Sequence, residues 1–595
     1  DELATHEGVL RLRIGPLPRT AHERLIQGLL GLEPGLASRV QRRTVGNPGF
    51  ALELTADWVR RGLLELGRSG YRLKPGVDAP LPLDLYERWW QRLERALLDR
   101  PDKDLLALEI AAHLGVVVDP EEWRDVCSEA DLPASRSLLR HLIEQRLVGA
   151  QDSDPSKAWS FSQPMLRATL ERRATEAGRS MRWHQLCASV LERRRGGRRD
   201  ERVGYHLVQA SLPEDALPWL SRAVDRRLGA GDFPRAEEVL QNRRDALELL
   251  ALERDDRAMV EQRILEAELA RRTGRLPEAL LKADHSTAAA RSRGYADLLC
   301  PALIEQSAAL LAQGELQEAH DYLVEALTLA SRGADRDRVA LCHRMLAEAL
   351  LMLGRLDEAG DAANAAVNSA QLFADPIGTA EARLWLARSL MLQERLPEAL
   401  SQLERARKTF RHVGARSGLA ESLVVLGELA RRQGARERAR ECFRKAHKQL
   451  QSLGASTAVE PFVRLGIVLS EDGTAGAALD TLLQARREAD AMALSPLVAL
   501  ANIALLPLAA SARNERAWDE AWGHASHLLD ATGYVEQDVA RQATVAARVA
   551  WSQGWGDRAK KAGRVALAQW NKLGLDDQAR DMQRLRKLLQ VVDSA

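Results

Sequence analysis

Few residues in this chain have the type and spacing to do chemistry. His524 and His527 stand three apart, so on a helix both imidazoles face one side, as in a two-histidine metal site. No carboxylate or cysteine is placed to complete it, which favours a plain helix surface. Cys127, Cys187, Cys300, Cys342 and Cys442 lie tens of residues apart without a CxxC pair, so neither a zinc site nor a disulfide framework is indicated. No GxxxxGK[ST] segment offers a phosphate cradle, and no GxSxG elbow offers a nucleophile. Carboxylates recur only at ordinary helix-surface spacing. The expectation for this chain is therefore no catalytic residue, no metal and no cofactor of its own. The run Arg193-Arg194-Arg195-Gly196-Gly197-Arg198-Arg199 could touch phosphate, but Asp200 and Glu201 follow it at once, so a solvated loop is favoured.

Bulk composition agrees. At 595 residues the chain exceeds one compact core, so several domains or a repeat array are expected. Lys plus Arg number 85 against 84 for Asp plus Glu, and a net charge of +1 offers no global attraction to nucleic acid or an anionic membrane. No apolar run of membrane-spanning length occurs, and no leader-like segment. With the unpaired cysteines this points to a reducing cytoplasm. The chain opens Asp1-Glu2 without an initiator methionine, which reads as a fragment with a region missing upstream.

What must position any site is a repeat. A short turn followed five residues later by alanine recurs at Gly231/Ala236, Gly274/Ala279, Gly314/Ala319, Gly354/Ala359, Glu394/Ala399, Gly434/Ala439, Gly473/Ala478, Arg516/Ala521 and Gly554/Ala559, and from Gly274 to Gly434 the step is always 40 residues. Seven residues before the turns stand small residues, among them Ala347, Ala387, Gly427, Gly466 and Ala509. A leucine precedes several of them, as at Leu346, Leu386 and Leu426. Small beside large is how helical layers interlock. Ala326, Ala366, Ala406, Ala446, Ala485 and Ala566, twelve after the turn, give the second helix its contact face. Each repeat is thus a helical hairpin of about 40 residues.

This pattern resembles the tetratricopeptide repeat over roughly residues 200–590, and implies an all-α superhelical solenoid. Positions that line the inner face of such arrays map to Arg344, Glu348, Glu381, Arg388, Glu421, Glu428, Arg431 and Arg432. Mixed in sign, they suit a charged protein surface or helix, or a small ligand, and lack the Asn and Lys set that clamps a peptide carboxylate. Late tryptophans, Trp518, Trp522, Trp551, Trp555 and Trp570, read as core packing or an end cap, with an aromatic ligand pocket as the alternative.

The first third changes character. Val9-Leu10-Arg11-Leu12-Arg13-Ile14 alternates as one short strand, a helical stretch runs to Arg43, and Gly46-Asn47-Pro48 leads into an amphipathic helix ending near Leu66. Ile14-Gly15-Pro16-Leu17 and Gly46-Asn47-Pro48 with Phe50 and Glu53-Leu54 look like the last strand and lid of the signal-transducing ATPases with numerous domains. Leu105–Leu114, Val118-Asp119, Ser137–Val148 and Phe161–Arg167 resemble that family's winged helix. Arg182-Trp183-His184 and Tyr205-His206-Leu207 resemble its arm. The resemblance implies a partial lid at 1–100, a winged helix at 101–180, a helical arm at 181–230 and repeats at 231–595. It also implies contact of Gly46, Asn47 and Pro48 with ATP or ADP in the full-length protein, although Gln163 replaces the family's strand histidine.

The function so implied is the regulatory sensor region of a bacterial signalling ATPase, controlling an upstream effector such as a Ser/Thr kinase. The alternatives are a transcription regulator that reads DNA through Arg136, Arg140 and Arg146, with nucleic acid disfavoured because the family uses the module as a hinge, or a passive assembly scaffold.

Overall fold

A computed structural model describes residues 17–574, apart from 18, 45–47, 68–69, 75–82, 151–156, 195–197 and 334–335, together with Lys587. The strand expected at Val9–Ile14 lies outside the described residues. The chain divides into two compact units, Asp1–Ala216 and Leu217–Ala595.

In the first unit, α1 (Arg19–Leu30) and α2 (Pro34–Thr44) divide the stretch expected to be one helix. Gly31, at φ +55°, leaves the helical region, and Pro34 has no N–H to continue the ladder. The next helix, α3 (Pro48–Arg60), ends where Gly62 turns left-handed at φ +64°. Leu64–Leu66, expected as the end of that helix, is instead β1, paired antiparallel with β2 (Tyr71–Leu73). Glu65 faces Arg72 across the pair and accepts its Nε–H at 2.8 Å.

Then follow α4 (Leu83–Leu97), α5 (Asp102–Leu114), β3 (Val117–Val118), α6 (Pro120–Glu129), α7 (Arg136–Glu144), β4 (Val148–Ala150), β5 (Trp159–Phe161), α8 (Pro164–Glu176), α9 (Ser180–Arg193) and α10 (Arg199–Gln209). The sheet is antiparallel in the order β3-β5-β4, with Val118 opposite Trp159 and Val148 opposite Phe161. Asp119 caps α6 by accepting the Glu121 and Glu122 amides, and Ser135 caps α7 by accepting that of Leu138. Trp123, Leu138, Leu142 and Trp159 fill the core between them. Glu109 is wholly buried, and its charge is matched by the Arg179 guanidinium at 2.7 and 2.9 Å and the Trp183 indole N–H at 3.0 Å.

Three buried histidines meet where α5, α9 and α10 pack. His184 Nδ1 lies 2.8 Å from His206 Nδ1, so one ring donates while the other accepts, and the His113 ring is 4.7 Å from that of His184. Burial, with Arg167 nearby, depresses all three below the ordinary imidazole value, His184 to about 3, although contact with Glu109 opposes this at His113. A base depressed in the folded state takes up protons on unfolding, so its contribution is full above about pH 6.5 and is lost as pH falls below it. The urea midpoint of this unit should fall on acidification from pH 7 to 5, and H184F should flatten that slope.

The second unit is built from helical hairpins. They are α11 (Pro213–Ala230) with α12 (Phe233–Leu250), α13 (Arg257–Arg272) with α14 (Leu276–Arg293), α15 (Ala296–Gln313) with α16 (Leu316–Arg332), α17 (Arg336–Met352) with α18 (Leu356–Leu372), α19 (Pro376–Leu392) with α20 (Leu396–Val413), α21 (Arg416–Arg432) with α22 (Arg436–Ser452), α23 (Val459–Glu471) with α24 (Ala475–Ala491), α25 (Ser495–Ser511) with α26 (Glu515–Thr532), and α27 (Gln537–Ser552) with α28 (Gly556–Leu573). It is an all-helical tetratricopeptide-like solenoid. The small residue before each turn is explained by what it faces. A Cβ on Gly427 would meet the Phe443 ring at 2.7 Å, and one on Gly466 would meet Leu482 Cγ at 2.6 Å.

One turn differs from the sequence pattern. Arg516 lies inside α26, and the chain reverses at Arg513, φ +53°, with the Asn514 side chain capping α26. The 40-residue step is therefore kept, and Trp518 occupies the position that other repeats give to alanine. Trp518 is 1 % exposed, and Leu506 replaces the usual small residue with none of its surface exposed. Here large packs where small packs elsewhere, so an alanine pattern slips by three.

Successive turns of the superhelix touch. Cβ atoms on the hairpin residues Gly274, Gly314 and Gly354 would meet Met492, Thr532 and Val535, at 2.8, 2.6 and 2.9 Å. The backbone confirms the approach, since the Val535 N–H donates to the Met352 carbonyl at 2.8 Å and the Ser456 hydroxyl to the Arg271 carbonyl at 3.1 Å.

Candidate functional site

The first helices of the hairpins turn their charged faces inward, and the touching superhelical turns enclose a cavity of about 410 Å³ between them. That lies within the size range of small-molecule sites. Arg344, Glu348, Arg388, Glu428 and Arg432 line it, as do residues the inner-face mapping missed, including Arg271, Glu305, Glu460, Arg464, Glu536 and Asp538. Of the remaining mapped positions, Glu381 stands 3.6 Å from Arg344, Glu421 accepts the Ser417 hydroxyl at 3.0 Å, and Arg431 is buried in the adjoining ion-pair network. Five of the eight mapped inner-face residues thus line the cavity, and Glu381, Glu421 and Arg431 do not. Met345, Met352, Trp385, Leu341 and Val424 supply an apolar wall.

Part of the missed lining comes from one segment that no periodicity announces. Between α26 and α27, Tyr534-Val535-Glu536 is neither helix nor strand, Glu536 being extended, and with Gln537 and Asp538 the segment lines the cavity. Asp538 pairs with Arg431 and, at 2.9 Å, with Arg464, while Glu536 accepts from Arg464 at 3.1 Å and Gln537 from Arg432. Gln569 holds the segment from behind, donating to the Tyr534 carbonyl at 2.8 Å and accepting the Glu536 amide at 3.0 Å. This clamp ties α27 to α17, α21 and α23.

Electrostatics separates the groups. Burial alone would raise the Glu460 carboxyl, but Arg388 and Arg464 outweigh it and hold the group down to about 2. Glu428 is likewise held far below its ordinary range against burial, by Arg431, Arg432 and Arg464. At Glu348 and Glu421 burial wins and the carboxyl rises. The network is therefore tightly compensated around Arg464 and loose around Glu348.

The other candidates resolve differently. Pro48 begins α3 and is exposed, while Gly46 and Asn47 lie outside the described residues. His524 Nδ1 bonds the Glu520 carbonyl within its own helix at 2.8 Å, and among the described residues no group of His, Cys, Asp and Glu is arranged to hold a metal ion. All five cysteines are buried and none is in a disulfide. Of the basic run, Arg193 pairs with Glu129, Arg194 with Asp125 and Arg199 with Asp200. Trp518 and Trp570 are core residues, Trp518 packing edge-on against Trp555 at 6.0 Å. Among the described residues no helix is long and apolar enough to cross a membrane.

Residues 378–452 match the tetratricopeptide repeat family model. No curated protein matches the chain. Among solved structures it is similar to a Signal Transduction ATPase with Numerous Domains protein with a tetratricopeptide repeat sensor from Pyrococcus horikoshii, at 13 % identity over 97 % of this chain and 75 % of that one, TM-score 0.46. It is also similar to a Rap protein complexed with Competence and Sporulation Factor, at 13 % identity over 64 % of this chain and 99 % of that one, TM-score 0.42. A third is the apo form of the quorum sensor NprR from B. thuringiensis, at 13 % identity over 60 % and 99 %, TM-score 0.35. These likenesses are of helical-repeat architecture.

Proposed function

We propose that the repeat unit is a sensor whose inner cavity takes a ligand and whose clamp at Tyr534–Asp538 responds to it. The observation that carries the reading is the cavity itself, enclosed by charged inner helices and bounded by a segment held largely through ion pairs. A ligand that favours one clamp position shifts the population by its differential affinity. In the larger setting suggested by the resemblance to signal-transducing ATPases, the cavity controls an effector encoded upstream. The segment around Pro48 then belongs to a nucleotide lid, and α5 to β5 form a winged helix that acts as a hinge in the cytoplasm. This chain by itself is read as non-catalytic.

Native-state hydrogen exchange tests the sensor reading without knowing the ligand. The amides of Val535 and Glu536 should open with a free energy well below that of Ile503 in the buried helix α25. Opening of both only with global unfolding would make the solenoid a passive scaffold instead.

A second reading rests on Arg136, Arg140 and Arg146, which are all exposed on and just after α7. It makes residues 101–180 a DNA reader, and absence of duplex binding at low salt removes it.

A further inference from the structure

The charged groups that line the cavity are not alike. Arg271 is bidentate to Glu305 at 3.0 and 3.2 Å, Arg388 to Glu460 at 3.0 and 3.2 Å, Arg432 meets Glu428 at 3.2 Å and Arg272 meets Glu268 at 2.7 Å. Arg464 serves Glu460, Glu536 and Asp538. Two side chains stand outside this hydrogen bonding. Glu348 makes no hydrogen bond or ion pair among the described residues. The nearest acid to Arg344 is Glu381, at 3.6 Å, too long for a hydrogen bond. Both sit on α17 one helical turn apart, so both face the cavity side by side, and the order Arg then Glu is the weaker one for pairing with each other.

An enclosed carboxylate and an enclosed guanidinium with unused hydrogen-bonding capacity call for a partner. Adjacent on one wall, they ask for a cation and an anion a few ångströms apart in the same molecule. The rest of that wall is apolar: Met345 is on the same helix, with Leu341, Met352 and Trp385 around it. Resting on the reading of the cavity as a ligand site, we propose that its ligand is a small zwitterion with an apolar body, of the free apolar amino acid class. Glu348 accepts from the ammonium group, Arg344 donates in a fork to the carboxylate, and the side chain lies against Trp385 and the methionines. A ligand of this kind satisfies both side chains without adding a net charge to the cavity.

The test is calorimetric titration of the whole chain with L-leucine, L-methionine, L-phenylalanine and L-tryptophan. Their single-charge halves, represented by phenethylamine and 3-phenylpropionate, and the neutral 3-phenylpropanol are titrated alongside. At least one amino acid should bind on the order of tenfold or more tighter than either half. R344Q should weaken the amino acid and 3-phenylpropionate, E348Q the amino acid and phenethylamine, each by about tenfold with an unchanged melting midpoint, and R344K should restore part of the loss. If 3-phenylpropanol or a half binds as well as the amino acids, and A308W abolishes that binding, the cavity is a ligand site but the zwitterion is wrong. If no probe binds, the ligand reading falls together with the proposal.

Discussion

Replacing Asp538 by alanine is expected to cost the repeat unit about 3 kcal/mol, the lower end of the range for breaking a buried ion pair. The carboxylate is 3 % exposed and serves Arg431 and Arg464, themselves 5 % and 13 % exposed. Each guanidinium keeps other partners, Glu428 and Glu471 for Arg431 and Glu460 and Glu536 for Arg464, which holds the loss to that lower end. The desolvation already suffered by both is no longer fully offset. Because the lost contacts join α27 to α21 and α23, the variant should also loosen the superhelix. A lower urea midpoint should be accompanied by a larger radius of gyration under native conditions, whereas D538N, with its shape retained, should show a smaller change in both. An unchanged midpoint would mean that the clamp contributes nothing to closure.

Trp518 to alanine should cost about 3–5 kcal/mol, the range for truncating a buried tryptophan. This result discriminates between two registers. In the register suggested by Arg516 and Ala521, Trp518 lies in the turn and its loss is mild. In the observed register it sits five residues after Arg513, wholly enclosed and edge-on to Trp555. The alanine that suits the same position in the other repeats should therefore open a void here. Denaturation of W518A and W522A side by side gives the answer, since Trp522 is only half-buried.

These two residues also mark where the sequence is informative. The repeat is legible because glycine turns and small residues recur every 40 positions for steric reasons that do not vary: Gly427 must admit Phe443 and Gly466 must admit Leu482. The inner-face charges are legible for a related reason, since helical periodicity carries Arg344, Glu348, Arg388 and Glu428 to one side. Superhelical closure is not legible. It depends on how small rotations accumulate over many repeats, and its contacts, such as Val535 with Met352, join residues far apart in the chain. Four charged groups of the cavity lining, Glu460, Arg464, Glu536 and Asp538, arrive by that route. Leu64–Leu66 shows the local limit, because an alternating Leu-Glu-Leu this short suits a strand as well as the end of a helix, and Gly62 decides between them.

The central claim is that the interior of the solenoid is a ligand site, and blocking it is the most direct test. Ala308 lines the cavity on α15, and a tryptophan there projects into the space. Wild type and A308W should be compared by thermal shift across a panel of amino acids and small apolar ions, with A312W as a second blocked form. At least one compound should raise the wild-type midpoint by several degrees and leave both blocked variants unmoved. Equal shifts in wild type and blocked variants, or no shift with any compound, would contradict the account.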